Sequence, residues 1–108
     1  MTIARMATGT AILVAVLTMS CAAAAQPKRG ERVSVTNCPH VGVTANCLMI
    51  RAQDGTLYNI SGVSPRPRLS SRRMIRVRGT VTDKASICGQ GIVLDRIRWI
   101  RTRQRCPK

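Results

Sequence analysis

From residue 32 onwards, apolar and polar residues alternate in short runs with the period of two that is typical of β-strands. The clearest run is Met74–Thr82, in which isoleucine and valine occupy one face and arginine and threonine the other. Four further runs predict strands of the same kind: Arg32–Thr36, Cys47–Ala52, Leu57–Ile60 and Ile92–Ile100.

Local signals indicate how these strands are joined and bent. Asp54-Gly55 predicts a tight hairpin, because both residues tolerate the positive φ that such turns need. Gly79 marks a bend or a bulge within its strand. Residues 41–46 are compatible with a continued strand or with a long loop. The last strand changes parity, and a β-bulge near Asp95 would turn all its large apolar residues inward: Ile92, Leu94, Ile97 and Trp99.

The segment 61–73 is rich in proline and arginine and connects strands three and four. Pro65 and Pro67 exclude a helix through their own positions, which leaves room for one turn near Leu69. Five short strands with such a crossover match the order of an OB-type barrel. We predict an all-β fold, a small five-stranded OB-like barrel over residues 32–100, with a flexible lead-in at 26–31 and a basic C-terminal tail at 101–108.

Residues 1–25 have the pattern of a secretory signal peptide. A short segment with Arg5 precedes an apolar run and four alanines, which predicts cleavage after Ala25. The apolar run is too short to span a bilayer, so we predict no transmembrane segment and a periplasmic or secreted protein. Cys21 allows a second interpretation, a lipid anchor, although Thr18 replaces the leucine usual three residues before a lipidated cysteine.

The mature chain of about 83 residues is small and contains no phenylalanine. A domain of this length buries little apolar surface and is marginally stable without further support. In an exported protein, disulfides can supply that support, and the mature chain has four cysteines: Cys38, Cys47, Cys88 and Cys106. The barrel is therefore predicted to be disulfide-stapled, and the spacing leaves all three possible pairings open.

Several short motifs resemble a family of small exported bacterial OB-like domains of unknown function: Cys47-Leu48, Asp54-Gly55, Tyr58, Arg76–Thr80 and Ser86–Gly91. The resemblance extends over about residues 33–100. It implies a fold, an exported location and a disulfide between Cys47 and Cys88, but no activity. With that pair joined, the resemblance leaves Cys38 and Cys106 as the second pair.

The residue types that usually carry catalysis are scarce. His40 is the only histidine, and no Gly-x-Ser-x-Gly elbow is present. The four acidic residues are far apart in sequence and do not suggest a carboxylate pair for glycoside hydrolysis. Cys38 lies near His40, but the short paired cysteine spacing of structural zinc sites is missing. We expect no enzyme activity, no metal site and no cofactor.

Charge is the strongest functional signal in the chain. The formal net charge is +14, and loss of Arg5 with the signal peptide leaves about +13. Such a field attracts anions, and guanidinium groups bind phosphate and carboxylate in bidentate geometry. We expect the anion-binding residues among the arginines of the crossover, the fourth strand and the C-terminal part: Arg66, Arg68, Arg72, Arg73, Arg76, Arg78, Arg96, Arg98, Arg101 and Arg103.

These features predict a non-catalytic binding module that holds an anionic polymer of the cell envelope, a lipid headgroup or a partner protein. Specific recognition of nucleic acid is disfavoured, because single-strand binders stack bases on aromatic residues. Only Tyr58 and Trp99 are aromatic, and we predict both mainly inward. The alternative is a structural or stress-related envelope domain whose charge has no dedicated ligand. No motif indicates an oligomeric state.

Overall fold

The computed structural model describes Gly9 and residues 26–107. The predicted signal peptide, including Cys21, otherwise lies outside the described residues. The described chain is mostly β-structure, with a 3-10 turn at Leu69–Ser71. Its strands follow one another as β1 (Arg32–Asn37), β2 (His40–Val41), β3 (Leu48–Arg51), β4 (Leu57–Asn59), β5 (Arg73–Val81) and β6 (Ile92–Arg105).

All these strands belong to one six-stranded mixed sheet in the order β1-β5-β6-β4-β3-β2. Neighbouring strands are antiparallel, except that β4 and β6 run parallel. The predicted all-β class is confirmed. The prediction of a closed five-stranded OB-like barrel is wrong, because the sheet is open and has a sixth strand.

The extra strand β2 explains why the sheet stays open. β3 pairs with β4 along one edge, and β2 covers Leu48 and Met49 along the other. β1 reaches only the far end of that second edge, where the Asn37 side-chain amide donates a 2.7 Å hydrogen bond to the Arg51 carbonyl oxygen. This single side-chain hydrogen bond therefore replaces the backbone ladder that β1 and β3 would form in a closed barrel.

The hairpin predicted at Asp54-Gly55 is confirmed. It joins the antiparallel strands β3 and β4, and Gly55 has a φ of 91°. The Asp54 carboxylate accepts a 2.9 Å hydrogen bond from the Thr56 N–H. This bond lowers the pKa of Asp54, so the exposed carboxylate keeps its charge while it stabilises the turn.

The core lies on one side of the sheet and is mainly aliphatic, with these side chains fully buried in it: Leu48, Ile50, Ile60, Ile75 and Val77. Met49 is also fully buried, on the opposite side of β3 beside Gly42 and Gly91. Tyr58 is 4% exposed, and Trp99 packs partly buried against the core, so the inward orientation predicted for both is confirmed. The Trp99 Nε1–H donates a 2.7 Å hydrogen bond to the Pro65 carbonyl oxygen. The crossover is thereby attached to β6.

β6 contains the predicted bulge. Its register against β5 shifts between Asp95 and Arg98, and Arg96 has a φ of 51° there. The shift changes the parity of the strand, so that its large apolar residues all contact the core: Ile92, Leu94, Ile97 and Trp99. β6 then continues to Arg105, so residues 101–105, expected in a tail, extend the strand.

Gly79 allows β5 and β6 to approach closely beside this bulge. A Cβ atom at Gly79 would lie 3.0 Å from the Cβ and 3.2 Å from the Cδ1 of Leu94. Leu94 is buried and has little room to move aside. Packing therefore requires a glycine at position 79, and the irregularity predicted there is the register shift between Arg78 and Thr80.

Two disulfides connect separate parts of the sheet. Cys47–Cys88 joins the start of β3 to the loop before β6, with Cα atoms 6.0 Å apart. Cys38–Cys106 joins the residues that follow β1 and β6, with Cα atoms 5.8 Å apart. This is the pairing that the resemblance implied. Two disulfides indicate an oxidising environment outside the cytoplasm.

The part of the chain that the structure describes has no helix long and apolar enough to cross a membrane.

Reduction of the disulfides is expected to unfold the mature protein. The bonded cysteines are 41 and 68 residues apart, and in the chain-entropy model each such loop stabilises the fold by about 4 kcal/mol. Small domains have a total stability of about 5–15 kcal/mol. Thermal melts with and without reductant measure the effect. A comparison of two double variants, Cys47→Ala/Cys88→Ala and Cys38→Ala/Cys106→Ala, gives the contribution of each disulfide separately. A melt unchanged by strong reductant would contradict this expectation.

An alkaline titration is expected to show late ionisation of Tyr58. Burial raises the pKa of this phenol above its ordinary value of 10.0. Because the folded-state pKa lies above the unfolded one, the neutral phenol stabilises the fold at lower pH, and this contribution is lost as the pH rises through the folded-state pKa. Tyr58 is the only tyrosine, so tyrosinate absorbance reports it alone. Identical titration curves for native and denatured protein would refute the shift.

Candidate anion-binding face

The strands β1, β5 and β6 present a polar face on the side of the sheet away from the core. β5 lies between the other two strands and pairs with both. One row across the three strands consists of Ser34, Arg78 and Arg98, and the next consists of Thr36, Arg76 and Ile100. We define the arginine face as the residues of these rows on β5 and β6: Arg76, Arg78, Arg98 and Ile100.

Two features of the sequence produce this face. In β5, the alternation of apolar and basic residues leaves Arg76 and Arg78 exposed while the intervening residues are buried. In β6, the bulge at Arg96 shifts the parity, and Arg98 is exposed opposite Arg78. Without the extra residue, Arg98 would share the inward parity of Leu94. The bulge therefore serves the core and the arginine face together.

The acidic residues are engaged away from the arginine face. Asp83 forms an ion pair of 2.7 Å with Arg29, and the hydrogen bond in that pair lowers the pKa of Asp83. The other acids bind local partners, namely Asp95 with Lys84, Glu31 with the Lys28 N–H, and Asp54 with the Thr56 N–H. Within residues 26–107, no ion pair includes an arginine of the face.

The guanidinium groups of the face also have few neutral partners. The Arg76 Nε–H donates a long hydrogen bond of 3.4 Å to the Thr36 hydroxyl oxygen. In the described part of the chain, no side-chain hydrogen bond engages Arg78 or Arg98. Most donor positions of the three groups are consequently open to an external acceptor.

The three cations are close together. Arg78 and Arg98 are direct cross-strand partners, a position in which Cβ atoms lie about 4.5–5.5 Å apart and like charges destabilise the sheet. Arg76 stands two residues from Arg78 on the same strand, at about 6–7 Å. A shallow cavity of about 270 Å³ lies between them, lined by the arginine face and Trp99. An anion in this cavity would relieve the repulsion.

The other arginines predicted to bind anions do not join this face. Arg66 donates hydrogen bonds of 2.9 and 3.2 Å to the carbonyl oxygens of Ala45 and Asn46. It therefore holds the loop between β2 and β3 to the crossover. Arg73 pairs with Arg105 at the far end of β5 and β6. The remaining predicted residues are exposed outside the face: Arg68, Arg72, Arg96, Arg101 and Arg103.

A polar cluster beside the Cys47–Cys88 disulfide was not indicated by any motif. Asn59 is 4% exposed, donates hydrogen bonds to the Ser86 hydroxyl and the Gln90 carbonyl oxygen, and accepts one of 2.9 Å from the Ser61 N–H. The two bonds that Asn59 donates hold the loop before β6 against β4. In the sequence, Asn59 stands alone between two apolar residues, and the alternation pattern of a strand does not indicate what such an asparagine binds.

The residues considered for metal binding are separated or chemically blocked. Cys38 is bonded to Cys106 and cannot act as a thiolate ligand beside His40. Among the described residues, no group of three histidine, cysteine or acidic side chains is arranged to hold a metal ion. His40 is exposed on the edge strand β2.

The chain matches no protein-family model, and no curated protein sequence or solved structure matches it either. The family resemblance carried by the cysteine and glycine motifs therefore stays a prediction.

Arg66→Ser is expected to lower the free energy of unfolding by about 1 kcal/mol, because two hydrogen bonds from a charged donor are lost at an exposed position. Arg68→Ser is the matched control, since Arg68 lies on the same segment without such side-chain bonds in the described structure. Urea denaturation of both variants and the parent protein measures the difference. Equal stability of the two variants would show that Arg66 does not hold the loop.

Proposed function

We propose that this protein is an exported, non-catalytic binding module that holds anionic groups on its arginine face. The main support is the position of three guanidinium groups on one outward surface of β5 and β6, without a carboxylate partner in residues 26–107. All other features of the proposal depend on this arrangement.

An unoccupied arginine face is electrostatically unfavourable. Directly opposed like charges on paired strands destabilise a sheet by a fraction of a kcal/mol, up to about 1 kcal/mol. A bound phosphate, sulfate or carboxylate replaces that repulsion by charge-assisted hydrogen bonds, which guanidinium groups form in bidentate geometry. Binding of an anion therefore removes an electrostatic destabilisation that is present in the unbound fold.

The proposed ligands belong to the cell envelope or the extracellular space. The disulfides support folding in an oxidising compartment. The signal pattern of residues 1–25 favours a periplasmic or secreted location over a lipid anchor at Cys21. Acidic polysaccharides, phosphorylated lipids and acidic partner proteins present suitable anions in these compartments.

Base-specific binding of nucleic acid is not part of the proposal. Tyr58 is buried in the core, and the Trp99 indole is fixed by its hydrogen bond to the Pro65 carbonyl oxygen. Neither ring offers the free stacking surface that single-strand binders use. The proposal includes no catalytic activity either. The only histidine, His40, lies on β2, at the edge of the sheet away from the arginine face.

Chromatography on immobilised heparin tests the proposal. The parent protein should be retained at low salt and should elute as salt screens the contacts. Arg76→Ser/Arg78→Ser/Arg98→Ser should weaken binding at fixed salt by about tenfold or more, as expected for loss of charge-assisted hydrogen bonds. Arg68→Ser/Arg101→Ser/Arg103→Ser removes the same charge elsewhere and should retain most of the affinity.

Two results would count against this function. If both triple variants lose affinity equally, net charge rather than the arginine face determines binding. If the folded parent protein binds no polyanion at low salt, the alternative function stands, a structural or stress-related envelope domain without a dedicated ligand.

A further inference from the structure

The arginine face combines its charges with an exposed apolar residue. Ile100 is 58% exposed and lies directly opposite Arg76 on the neighbouring strand. Ile100 also lines the same shallow cavity as the three arginines. The face therefore places an apolar side chain directly beside its cations, whereas the more exposed Ile87 and Val43 lie outside the face.

The charge of the face exceeds that of a singly charged ligand. Three guanidinium groups surround the cavity, and no acidic residue of the described chain is paired with any of them. A phosphomonoester carries a charge of about −1.5 to −2 near neutral pH and offers three acceptor oxygens. A phosphodiester, a sulfate ester or a carboxylate carries one negative charge and leaves more of the repulsion uncompensated.

Hydroxyl groups at the border of the face fit the same ligand. Ser34 is the β1 partner of Arg78, and Thr36 is the β1 partner of Arg76. The Thr36 hydroxyl oxygen already accepts the Arg76 Nε–H at 3.4 Å, and no hydrogen bond of the described chain engages the terminal nitrogens of Arg76. One row across the sheet is thus hydroxyl, cation and apolar side chain (Thr36, Arg76 and Ile100), and the next is hydroxyl, cation and cation (Ser34, Arg78 and Arg98).

We infer that the arginine face binds a membrane lipid with a phosphomonoester headgroup. The phosphate is held by Arg76, Arg78 and Arg98, and the adjoining acyl region contacts Ile100. This inference rests on the proposed function and specifies its ligand. An acidic polysaccharide would satisfy the arginines but would leave Ile100 without an apolar partner.

Vesicle binding tests the ligand class. Phosphatidylcholine vesicles that contain phosphatidic acid, a phosphomonoester, are compared with vesicles that contain phosphatidylglycerol, a phosphodiester, at equal measured surface charge. Co-sedimentation gives the affinity. We expect about tenfold tighter binding to the phosphomonoester vesicles, a ratio typical of one additional charge-assisted contact.

Substitutions separate the phosphate contact from the apolar contact. Ile100→Ser should weaken binding to phosphatidic acid vesicles about threefold to tenfold, and by a larger factor than it weakens binding to heparin. Ile87→Ser is the matched control, because Ile87 is fully exposed on the loop before β6 and outside the face. Inorganic phosphate should compete with vesicles only at much higher concentration than short-chain phosphatidic acid.

Each outcome distinguishes the inference from the proposed function. Equal binding to both vesicle types overturns the phosphomonoester assignment, and an unchanged affinity of Ile100→Ser overturns the lipid contact. Equal competition by inorganic phosphate and short-chain phosphatidic acid identifies free phosphate as the ligand and also overturns it. In all these cases, arginine-dependent heparin retention would leave the general anion-binding function intact, whereas absence of all polyanion binding would remove both.

Discussion

The pairing of β5 with β6 is the constraint on which the rest of this structure depends. The two strands span 9 and 14 residues and form the longest ladder of the sheet. Their inward residues supply much of the aliphatic core, and their outward residues form the arginine face. The bulge at Arg96 makes both faces consistent from Ile92 to Ile100.

Much of the fold could be predicted because its signals are local. The alternation in Met74–Thr82 reflects the pleat of a strand. The bulge near Asp95 could be inferred because the four large apolar residues of the last strand can face one core only if the strand changes parity there. The openness of the sheet was not predictable in this way. It follows from competition for the free edge of β3, which the two-residue strand β2 partly occupies. A strand of that length has no detectable period.

The candidate site was predictable only in part, for a related physical reason. Sequence proximity grouped Arg66 with its neighbours in the crossover, but its guanidinium group binds carbonyl oxygens of the loop between β2 and β3. Register across the ladder, rather than proximity, assembled Arg76, Arg78 and Arg98. Asn59 was missed because its partners lie in a loop about thirty residues away, at sequence separations of 27 and 31.

The Cys38–Cys106 disulfide has a consequence for recognition as well as for folding. It connects the ends of β1 and β6, the two strands that flank β5, beside the first residues of β5. The Cys106 N–H adds a 2.7 Å hydrogen bond to the Arg72 carbonyl oxygen at the same point. The three strands that carry the cations are thus tied together covalently at one end. Under the proposed function, a ligand would meet a preorganised backbone, and less of the contact energy would be spent on ordering the chain.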